Sequence, residues 1–544
     1  MSAPGADSVV TRQRRTGPSK QAERPGQPAN RVLTRNRCGY RPPPRTVTSG
    51  RHRNGEAGLK ETHVPVSQAG VADILSRLAT AAPASTALIA DRVDYTFAEL
   101  DEAAGRLAEQ LPPGTRVLIR LGNTAASVMA IHAAWRAGCS VVTASTMVPE
   151  TEVARRTAET GAAAVLTPDA GLTCRIERTG SVRPAPPGEA VVMFTSGTTG
   201  TPKGASLTFE ALRGSLVGIA SGTGLDDNGR LPKIPARGPR LVLIPIAHMG
   251  GLLGTLTAWW LGKPVLLARK FSAQLLIDLT HRHPLGMLPL TPAMVWELVQ
   301  LGDDAALPGV DHGIVGTAAL PEATRVVFET KYGIPILRNY GQTEFAGAIA
   351  FERPDDVKAG RRPAGTVGRI APGVEVAILD ADGNQLRVGD IGEIAARAAS
   401  SMSGYLDDNG TPTHPGAWLR TGDVGKVDAD GFVYVVGRVR DMVVCGGFNV
   451  YPAQVEAALN ELPEVADSAV AGLADERLGE VPVAAVVLSP GATADAEGIR
   501  RQLRSRLAAY ELPRRIEFVA QIPRLETGKV DRPGVARVVQ SAAN

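Results

Sequence analysis

A loop rich in glycine and hydroxyl residues follows an apolar run in the first half of the sequence. Residues 191–205 read VVMFTSGTTGTPKGA. Small residues let backbone N–H groups approach phosphate oxygens, while hydroxyls add donors and a lysine adds a point charge. The spacing does not match the Walker A pattern. The segment predicts a phosphate-binding loop of another kind, with a flexible surface loop as the alternative; its candidate residues are Thr195, Ser196, Gly197, Thr198, Thr199, Gly200 and Lys203.

Further strings with side chains that could bind or react follow along the chain. They read GTAALP at 316–321, NYGQTE at 339–344, WLRTGD at 418–423, GRVRDMVVCGGFNVYP at 437–452 and PRLETGKVD at 523–531. Each string is weak evidence by itself. An exposed Lys529 or a strand-end Glu344 is usually a solvated residue, and Asp423 beside a glycine also fits a hairpin turn.

In this order, the strings resemble the signature motifs of the adenylate-forming superfamily, which includes acyl- and aryl-CoA synthetases, luciferases and the adenylation domains of peptide synthetases. The resemblance runs from about Val64 to Val538, so that only the basic N-terminal segment lies outside it. It implies an enzyme that uses ATP to activate a carboxylic acid as an acyl-adenylate, and then transfers the acyl group to a thiol. CoA is the expected thiol.

The same resemblance assigns nucleotide-binding roles. Tyr340 would stack on adenine, and Thr343 would contact the α-phosphate. Glu344 would hold Mg²⁺, because a hard cation prefers carboxylate and phosphate oxygens together. The other residues implied to bind ATP or AMP, besides the loop, are Gly316, Gly341, Asp423 and Arg438, the last two at the ribose.

A second set of roles falls on the C-terminal strings. Lys529 would bridge the acyl carboxylate and the α-phosphate and stabilise negative charge there. Gly446 and Gly447 would line a tunnel for the pantetheine arm, since glycine lets a thin chain pass close to the backbone. Arg440 occupies the position of a hinge about which the small domain would rotate. Cys445 beside the glycines is interpreted as a small buried residue.

The string PIAHMGG at 245–251 places His248 where CoA synthetases carry an aromatic residue or histidine beside the substrate carboxylate. A core histidine is the alternative. The motif lacks the aspartate with which amino-acid-activating relatives bind an α-amine, so an amino-acid substrate is not expected. Apolar residues at Trp259, Trp260, 290–294 and 316–320 are expected to line the acyl pocket, which favours a fatty or aryl acid.

The elements that must position these residues alternate between apolar strands and amphipathic helices from residue 71 to about 315, which predicts parallel sheets with helices on both faces. Short strands with Asp-rich turns predict a small antiparallel barrel over 365–436. The fold class is therefore α/β. We expect a basic tail over 1–63, a large domain of two mostly parallel sheets plus the barrel over 64–437, and a small mobile α+β domain over 438–544.

Composition limits the remaining possibilities. Residues 1–58 hold twelve Arg and Lys against three acidic residues, a net charge of +9. Because the whole chain has a net charge of +4, the remaining residues carry −5. A nucleic-acid-binding function would rest on that tail alone, and none is expected. The four cysteines are scattered, without metal-binding spacing, which favours a reducing cytoplasm. The apolar run at 243–262 is interpreted as core and not as a membrane span.

Two alternative functions stay open at this point. The chain could load the acyl group onto the phosphopantetheine of an acyl carrier protein instead of free CoA. It could also be a catalytically silent nucleotide-binding relative, although the expected residue types stand at the matched positions. Composition and motifs leave the identity of the acid and the oligomeric state undetermined.

Overall fold

The computed structural model describes residues 70–180, 182–195, 202–222, 238–302, 305–413, 418–524 and 530–542. The predicted tail, the loop residues Ser196, Gly197, Thr198, Thr199 and Gly200, and Lys529 all lie outside these ranges. The predicted domain boundaries stay a prediction.

Helices of the described chain follow the expected amphipathic segments. In chain order they are α1 (Ile74–Ala81), α2 (Phe97–Ala108), α3 (Ala125–Arg136), α4 (Glu150–Thr160), α5 (Phe209–Gly222), α6 (Met249–Trp260), α7 (Ala273–Arg282), α8 (Pro292–Val299), α9 (Glu322–Tyr332), α10 (Pro354–Lys358), α11 (Pro452–Asn460), α12 (Ala496–Leu503) and α13 (Arg532–Ser541).

Strands alternate with these helices in the first part of the chain and follow one another in the second. They are β1 (Thr86–Ala90), β2 (Val93–Thr96), β3 (Arg116–Leu121), β4 (Ser140–Ser145), β5 (Ala164–Pro168), β6 (Cys174–Arg178), β7 (Glu189–Thr195), β8 (Lys203–Thr208), β9 (Arg240–Val242), β10 (Val265–Leu267), β11 (Gly286–Leu290), β12 (Val310–Val315), β13 (Ile336–Gln342), β14 (Gly347–Phe351), β15 (Gly368–Ile370), β16 (Val374–Leu379), β17 (Gly392–Ala398), β18 (Gly404–Leu406), β19 (Pro412–Thr413), β20 (Leu419–Val427), β21 (Phe432–Arg438), β22 (Val443–Cys445), β23 (Phe448–Val450), β24 (Val465–Asp475), β25 (Gly479–Leu488) and β26 (Arg515–Phe518).

Two large mixed sheets carry six of the predicted site residues on their strands: Thr195, Lys203, Tyr340, Gly341, Asp423 and Arg438. The eight-stranded sheet has the order β19-β18-β8-β7-β4-β3-β5-β6, and its β7, β4, β3 and β5 are parallel neighbours. The nine-stranded sheet has the order β11-β12-β13-β14-β15-β21-β20-β17-β16, with β11, β12 and β13 parallel. These sheets, with helices between their parallel strands, confirm the predicted α/β class.

The segment predicted as an antiparallel barrel is indeed built of antiparallel strands, from β15 to β17 and from β20 to β21. It is not separate from the parallel strands, however. Strand β13 pairs with parallel β12 on one side and with antiparallel β14 on the other, and β14 pairs with β15. The antiparallel part therefore continues the nine-stranded sheet.

Two smaller sheets complete the described chain. In the first, of order β2-β1-β10-β9, β1 and β9 both run parallel to β10. The second contains β22 to β26, in which β24 and β25 form a long antiparallel pair and β26 joins β25 in parallel. Its apolar face packs against α11 and α12 through Val455, Leu459 and Ile499, which is the predicted α+β unit.

Several helices begin at residues whose side chains cap them. Thr96 accepts a hydrogen bond from the backbone N–H of Glu99, and the Glu99 carboxylate accepts one from the backbone of Thr96, which makes a capping box for α2. Thr124 caps α3 through its side chain alone, without the reciprocal hydrogen bond of a capping box. Helix α3 is buried over nearly its whole length against the core around Trp259. The apolar run at 243–262 forms a loop after β9 and then α6, and most of its residues are buried, in agreement with its interpretation as core.

No helix within the described ranges combines the length and the apolarity that crossing a bilayer requires.

A buried ion pair holds the eight-stranded sheet together at its centre. Arg116 on β3 and Glu189 on β7 meet at 2.7 Å, and each side chain is about 1% exposed. Ser206 on β8 donates a hydrogen bond to Glu189, and Arg116 donates to the backbone carbonyl of Gly410 at 2.7 Å. Because the charges are paired and hydrogen-bonded, their burial is tolerated, and removing one partner would leave the other uncompensated.

We expect Arg116→Met to lower the free energy of unfolding by about 3–5 kcal/mol, because the Glu189 carboxylate stays buried without its partner. The matched control is Arg106→Met, which removes an ion pair with Glu102 on the exposed face of α2 and should cost at most about 1 kcal/mol. Urea denaturation measures both. Equal losses in the two variants would contradict the central role of the buried pair.

Candidate active site

The string NYGQTE lies where the pairing of the nine-stranded sheet changes from parallel to antiparallel. Residues Asn339 to Gln342 end β13, and Thr343–Phe345 form a single 3₁₀ turn before β14. Because β12 and β13 are parallel, their carboxyl ends meet at one edge, and ligands of α/β sheets commonly bind at such an edge. Gly316, directly after β12, shows that the ends of β12 and β13 lie close together: a Cβ there would lie 3.4 Å from the carbonyl oxygen of Asn339.

Gly341 is a glycine because the backbone of β14 lies too close for a side chain. A Cβ at this position would lie 2.0 Å from the carbonyl oxygen of Gly347 and 2.8 Å from the Cα of Ala348. The register of β13 and β14 shifts at the same place, between Tyr340 and Gly341. The glycine therefore has a structural reason besides the nucleotide-binding role implied by the sequence.

The carboxylate of Asp423 receives donors from three side chains. The phenol of Tyr340 donates to Oδ2 at 2.8 Å, and Nε2 of Gln342 donates to the same oxygen at 2.9 Å. Nε of Arg438, the cross-strand neighbour of Asp423 in the β20–β21 hairpin, lies 2.9 Å from Oδ1. Asp423 is 3% exposed, whereas the Arg438 side chain is 42% exposed. The structure thus brings together three of the predicted nucleotide-binding residues.

Burial raises the pKa of the Tyr340 phenol well above its usual value, and the neighbouring charge of Asp423 raises it further. The phenol therefore stays a hydrogen-bond donor over the whole range in which proteins are normally handled. Gln342 is the member of this group that the sequence analysis did not single out. Its position inside NYGQTE was the only feature of the sequence that pointed to it. Its hydrogen bond to Asp423 joins residues 81 positions apart along the chain.

Glu344 lies beside the described ends of the predicted phosphate loop. The phenol of Tyr405 on β18 donates to Oε1 of Glu344 at 2.6 Å, and the ammonium of Lys203 lies 5.8 Å from the centre of the Tyr405 ring. Lys203 is opposite Thr195 in the β7–β8 pair. Burial and the charge of Glu344 raise the pKa of Tyr405 above its usual range. Thr195, Lys203 and Glu344 are therefore neighbours, as the sequence predicted.

Tyr405 is a second residue that the sequence analysis missed. It lies in the segment SMSGYLDDNG at 401–410, which is not among the strings singled out from the sequence. Strand β18 is short, and it pairs with β8 next to the edge strand β19 of the eight-stranded sheet, with Tyr405 opposite Ala205.

His248 is exposed and precedes the first turn of α6, where its backbone carbonyl accepts from Gly251 and Leu252. Helix α6 packs against the start of β14: a Cβ on Gly347 would lie 2.9 Å from Leu253. Leu253, early in this helix, therefore lies beside the strand that follows the NYGQTE segment.

The two tryptophans predicted to line the acyl pocket are core residues instead. Trp259 is 2% exposed, and its indole donates to the carbonyl of Ala87 at 2.9 Å. Its ring packs on Phe97 and His132, and Trp260 is buried in the same cluster. Trp259 also lies about 16 Å along the helix axis from His248, at about 1.5 Å per residue. The prediction is wrong because an apolar run could not tell a pocket wall from a buried helix.

The segment after β12 keeps its predicted place and is exposed from Thr317 to Ala319. Thr317 has φ +72°, an unusual conformation for a β-branched residue. Such backbone strain costs about 1–2 kcal/mol and is found mainly where surrounding structure or function requires it. Together with Gly316, this segment offers an open surface next to the NYGQTE edge.

In the C-terminal part, Gly446 and Gly447 form the two-residue turn between β22 and β23. Their φ values of +59° and +86° are those of a hairpin turn that favours glycine at both positions. Cys445 beside them is a buried free thiol, as interpreted from the sequence. Arg440 lies in a 3₁₀ turn and contacts Asp441 at 3.5 Å. The tunnel and hinge roles of these residues stay predictions.

Within the described ranges, no group of three or more His, Cys, Asp or Glu residues could by itself hold a metal ion. A cation at Glu344 would therefore share its oxygen ligands with phosphates and water, which is the usual arrangement for Mg²⁺. The hydrogen bond from Tyr405 occupies Oε1. A carboxylate held in this way fits such a cation through Oε2.

Comparison with known proteins gives consistent matches. The family model described as AMP-binding enzyme matches residues 75–406, and the AMP-binding enzyme C-terminal domain matches 454–529. The chain is 34% identical over 375 residues to the indoleacetate–CoA ligase of Aromatoleum aromaticum, covering 67% of this chain and 71% of that protein. It is 35% identical over 357 residues to the sulfoacetate–CoA ligase of Cupriavidus necator, covering 64% and 67%.

Among solved structures, the o-succinylbenzoate CoA synthetase of Bacillus subtilis in complex with its acyl-adenylate intermediate is similar in fold. The TM-score is 0.72 at 27% sequence identity, and the match covers 85% of this chain and 97% of that chain.

The two glycines at the sheet edge should respond differently to one added methyl group. We expect Gly341→Ala to destabilise the protein by roughly 3 kcal/mol or more, because its Cβ would meet the backbone of β14. Gly316→Ala should change stability by less than about 1 kcal/mol, since 3.4 Å is an ordinary contact. Thermal unfolding of both variants measures this, and a stable Gly341→Ala protein would contradict the described register.

Proposed function

Because this chain belongs to the AMP-binding enzyme family, we propose that it is an AMP-forming acid–thiol ligase that joins a carboxylic acid to CoA. ATP and the acid give an acyl-adenylate and pyrophosphate, and CoA then displaces AMP to give the thioester. The observation that carries the proposal is the family match over both parts of the chain, together with relatives named as CoA ligases.

In the first half-reaction a carboxylate oxygen attacks the α-phosphorus of ATP in line with the departing pyrophosphate. The acid is already ionised, so no general base is required. Attacker and target are both anions, however, and the site must screen their repulsion and hold them in line. We assign the screening to Lys203 and Lys529, and the contact with the α-phosphate to Thr343.

The nucleotide would be bound by residues from several elements. The loop residues Thr195 to Gly200 would donate to the phosphates. Asp423 and Arg438 would bind the ribose, and the ring of Tyr340 would contact adenine between Gly316 and Gly341. Support comes from the short distances that join Tyr340, Arg438 and Asp423 at one edge of the sheet.

Glu344 would hold Mg²⁺ together with phosphate oxygens of ATP. When bound, the cation would neutralise charge on the phosphates as pyrophosphate leaves. Glu344 would hold the cation through one carboxylate oxygen, and Lys203, whose ammonium lies 5.8 Å from the centre of the Tyr405 ring, would add positive charge for the phosphates.

For the second half-reaction we assign the pantetheine path to the Gly446–Gly447 turn. Arg440 would be the hinge about which a mobile domain of residues 438–544 rotates. One orientation would present Lys529 to the adenylation site and the other would present the glycine turn to the acyl-adenylate. An exchange of this kind is a hinge closure.

The acid is proposed to be apolar and to carry a ring. His248 would lie beside its carboxylate, and the exposed segment 317–319 would contact the acyl group. The relatives named for indoleacetate and o-succinylbenzoate support a ring-bearing acid, whereas the relative named for sulfoacetate shows that the family also includes ligases for small polar acids.

A cytoplasmic location is also proposed. The described cysteines Cys139, Cys174 and Cys445 are free thiols, which supports a reducing compartment.

The test is a panel of acids, including indoleacetate, o-succinylbenzoate, sulfoacetate and fatty acids, with release of AMP and pyrophosphate measured with and without CoA. We expect a ring-bearing acid to give CoA-dependent AMP release and an acyl-CoA product. Holo-carrier protein in place of CoA is the control acceptor. Preferred acylation of the carrier would contradict the CoA assignment, and tight ATP binding without turnover of any acid would indicate a catalytically silent protein.

A further inference from the structure

Tyr405 stands between two residues that the proposed function places at the phosphates. Its phenol donates to Oε1 of Glu344 at 2.6 Å, and its ring lies 5.8 Å from the ammonium of Lys203. The first contact is a charge-assisted hydrogen bond, which is stronger than a neutral one. The second lies within the range of cation–π attraction. One side chain thus contacts both an anion and a cation of the site.

The segment around Tyr405 holds the backbone of Glu344 as well as its carboxylate. The N–H of Met402 donates to the carbonyl oxygen of Glu344 at 2.8 Å. Glu344 is therefore fixed at two points by residues 402–405, which come from a different sheet. A carboxylate with one oxygen fixed in this way has lost most of its rotational freedom, so Oε2 points in a defined direction.

Tyr405 is itself held in place by the core of the eight-stranded sheet. Strand β18 pairs with β8 through Gly404 and Tyr405 and with β19 on its other side. The loop between β18 and β19 is anchored by the buried Arg116, which donates to the carbonyl of Gly410 at 2.7 Å. The phenol is therefore presented from a rigid support.

We propose that Tyr405 is a positioning residue that aims the Glu344 carboxylate at the metal–triphosphate and keeps the Lys203 ammonium beside it. The inference rests on the proposed function, because it requires Glu344 to bind the cation. Tyr405 belongs to a different sheet from Glu344. It would act by orienting the Glu344 carboxylate and not by contacting the substrate.

The test replaces only the hydroxyl group, in Tyr405→Phe. Tyr434→Phe is the matched control, because its phenol also donates to a carboxylate, Asp428 at 2.9 Å, and Lys426 lies 5.3 Å from its ring, in the β20–β21 hairpin. Mn²⁺ is added to the enzyme–ATP complex without acid, and electron paramagnetic resonance measures the concentration of free Mn²⁺. The Mn²⁺ affinity obtained in this way reports directly on the Glu344 carboxylate.

We expect Tyr405→Phe to bind Mn²⁺ about 10- to 100-fold more weakly, the usual loss when a partner that orients a ligand is removed, and Tyr434→Phe to bind it as the unchanged enzyme does. The Mg²⁺ concentration for half-maximal pyrophosphate exchange should rise by the same factor, and saturating Mg²⁺ should restore most of kcat. A merely structural tyrosine would lower kcat at every Mg²⁺ concentration, which would overturn the proposal.

A double variant separates the inference from the function on which it rests. On a Glu344→Gln background, Tyr405→Phe should cause no further loss of Mn²⁺ affinity, because the phenol acts through that carboxylate. An additive loss in the double variant would overturn the role of Tyr405 but not the metal-binding role of Glu344. The same conclusion would follow if Tyr405→Phe bound Mn²⁺ as well as the control while Glu344→Gln lost Mn²⁺ binding. Unchanged Mn²⁺ binding by Glu344→Gln would instead contradict the metal-binding part of the proposed function.

Discussion

Two carboxylates, each held by a tyrosine phenol, determine the arrangement of the site. Asp423 receives Tyr340, and Glu344 receives Tyr405. The proposed triphosphate would require positive charge and donors, so acidic side chains beside it would be unfavourable unless other groups held them. The two tyrosines, with Gln342 and Arg438, supply donors to these carboxylates.

The fold brings these pairs together by joining sheets of different character. Strand β13 is parallel to β12 and antiparallel to β14, so the chain turns sharply just where Tyr340 to Glu344 stand. Gly341 permits the close approach of the two strands, and Ala346 with φ +47° completes the turn. The eight-stranded sheet adds Lys203 and Tyr405 from β8 and β18. Glu344, which follows β13, and Lys203 on β8 therefore come from different sheets.

Local features were well predicted from the sequence and long-range contacts were not. The alternation of strands and helices predicted over residues 71–315 is found in the structure, because apolar periodicity determines it. The hairpin at residues 428–431 also follows from its own residues, since the Asp428 carboxylate accepts from the backbone of Asp430 and Phe432.

Tyr405 lies 61 positions from Glu344 and Gln342 lies 81 from Asp423, so no local pattern could reveal them. Trp259 was misassigned because burial in a core and burial beside a ligand give the same pattern. Ser196 to Gly200 and Lys529, whose roles the family resemblance implies, lie outside the described residues.

The most direct measurement of the central claim follows an oxygen atom from the acid to the nucleotide. An acid labelled with ¹⁸O in its carboxylate, turned over with ATP and CoA, should transfer one ¹⁸O atom to the phosphate of AMP in each turnover. The carboxylate oxygen that attacks the α-phosphorus stays on AMP when the thiol displaces it. Mass spectrometry of the AMP decides the matter: unlabelled AMP, or ADP as the product, would contradict an acyl-adenylate at this site.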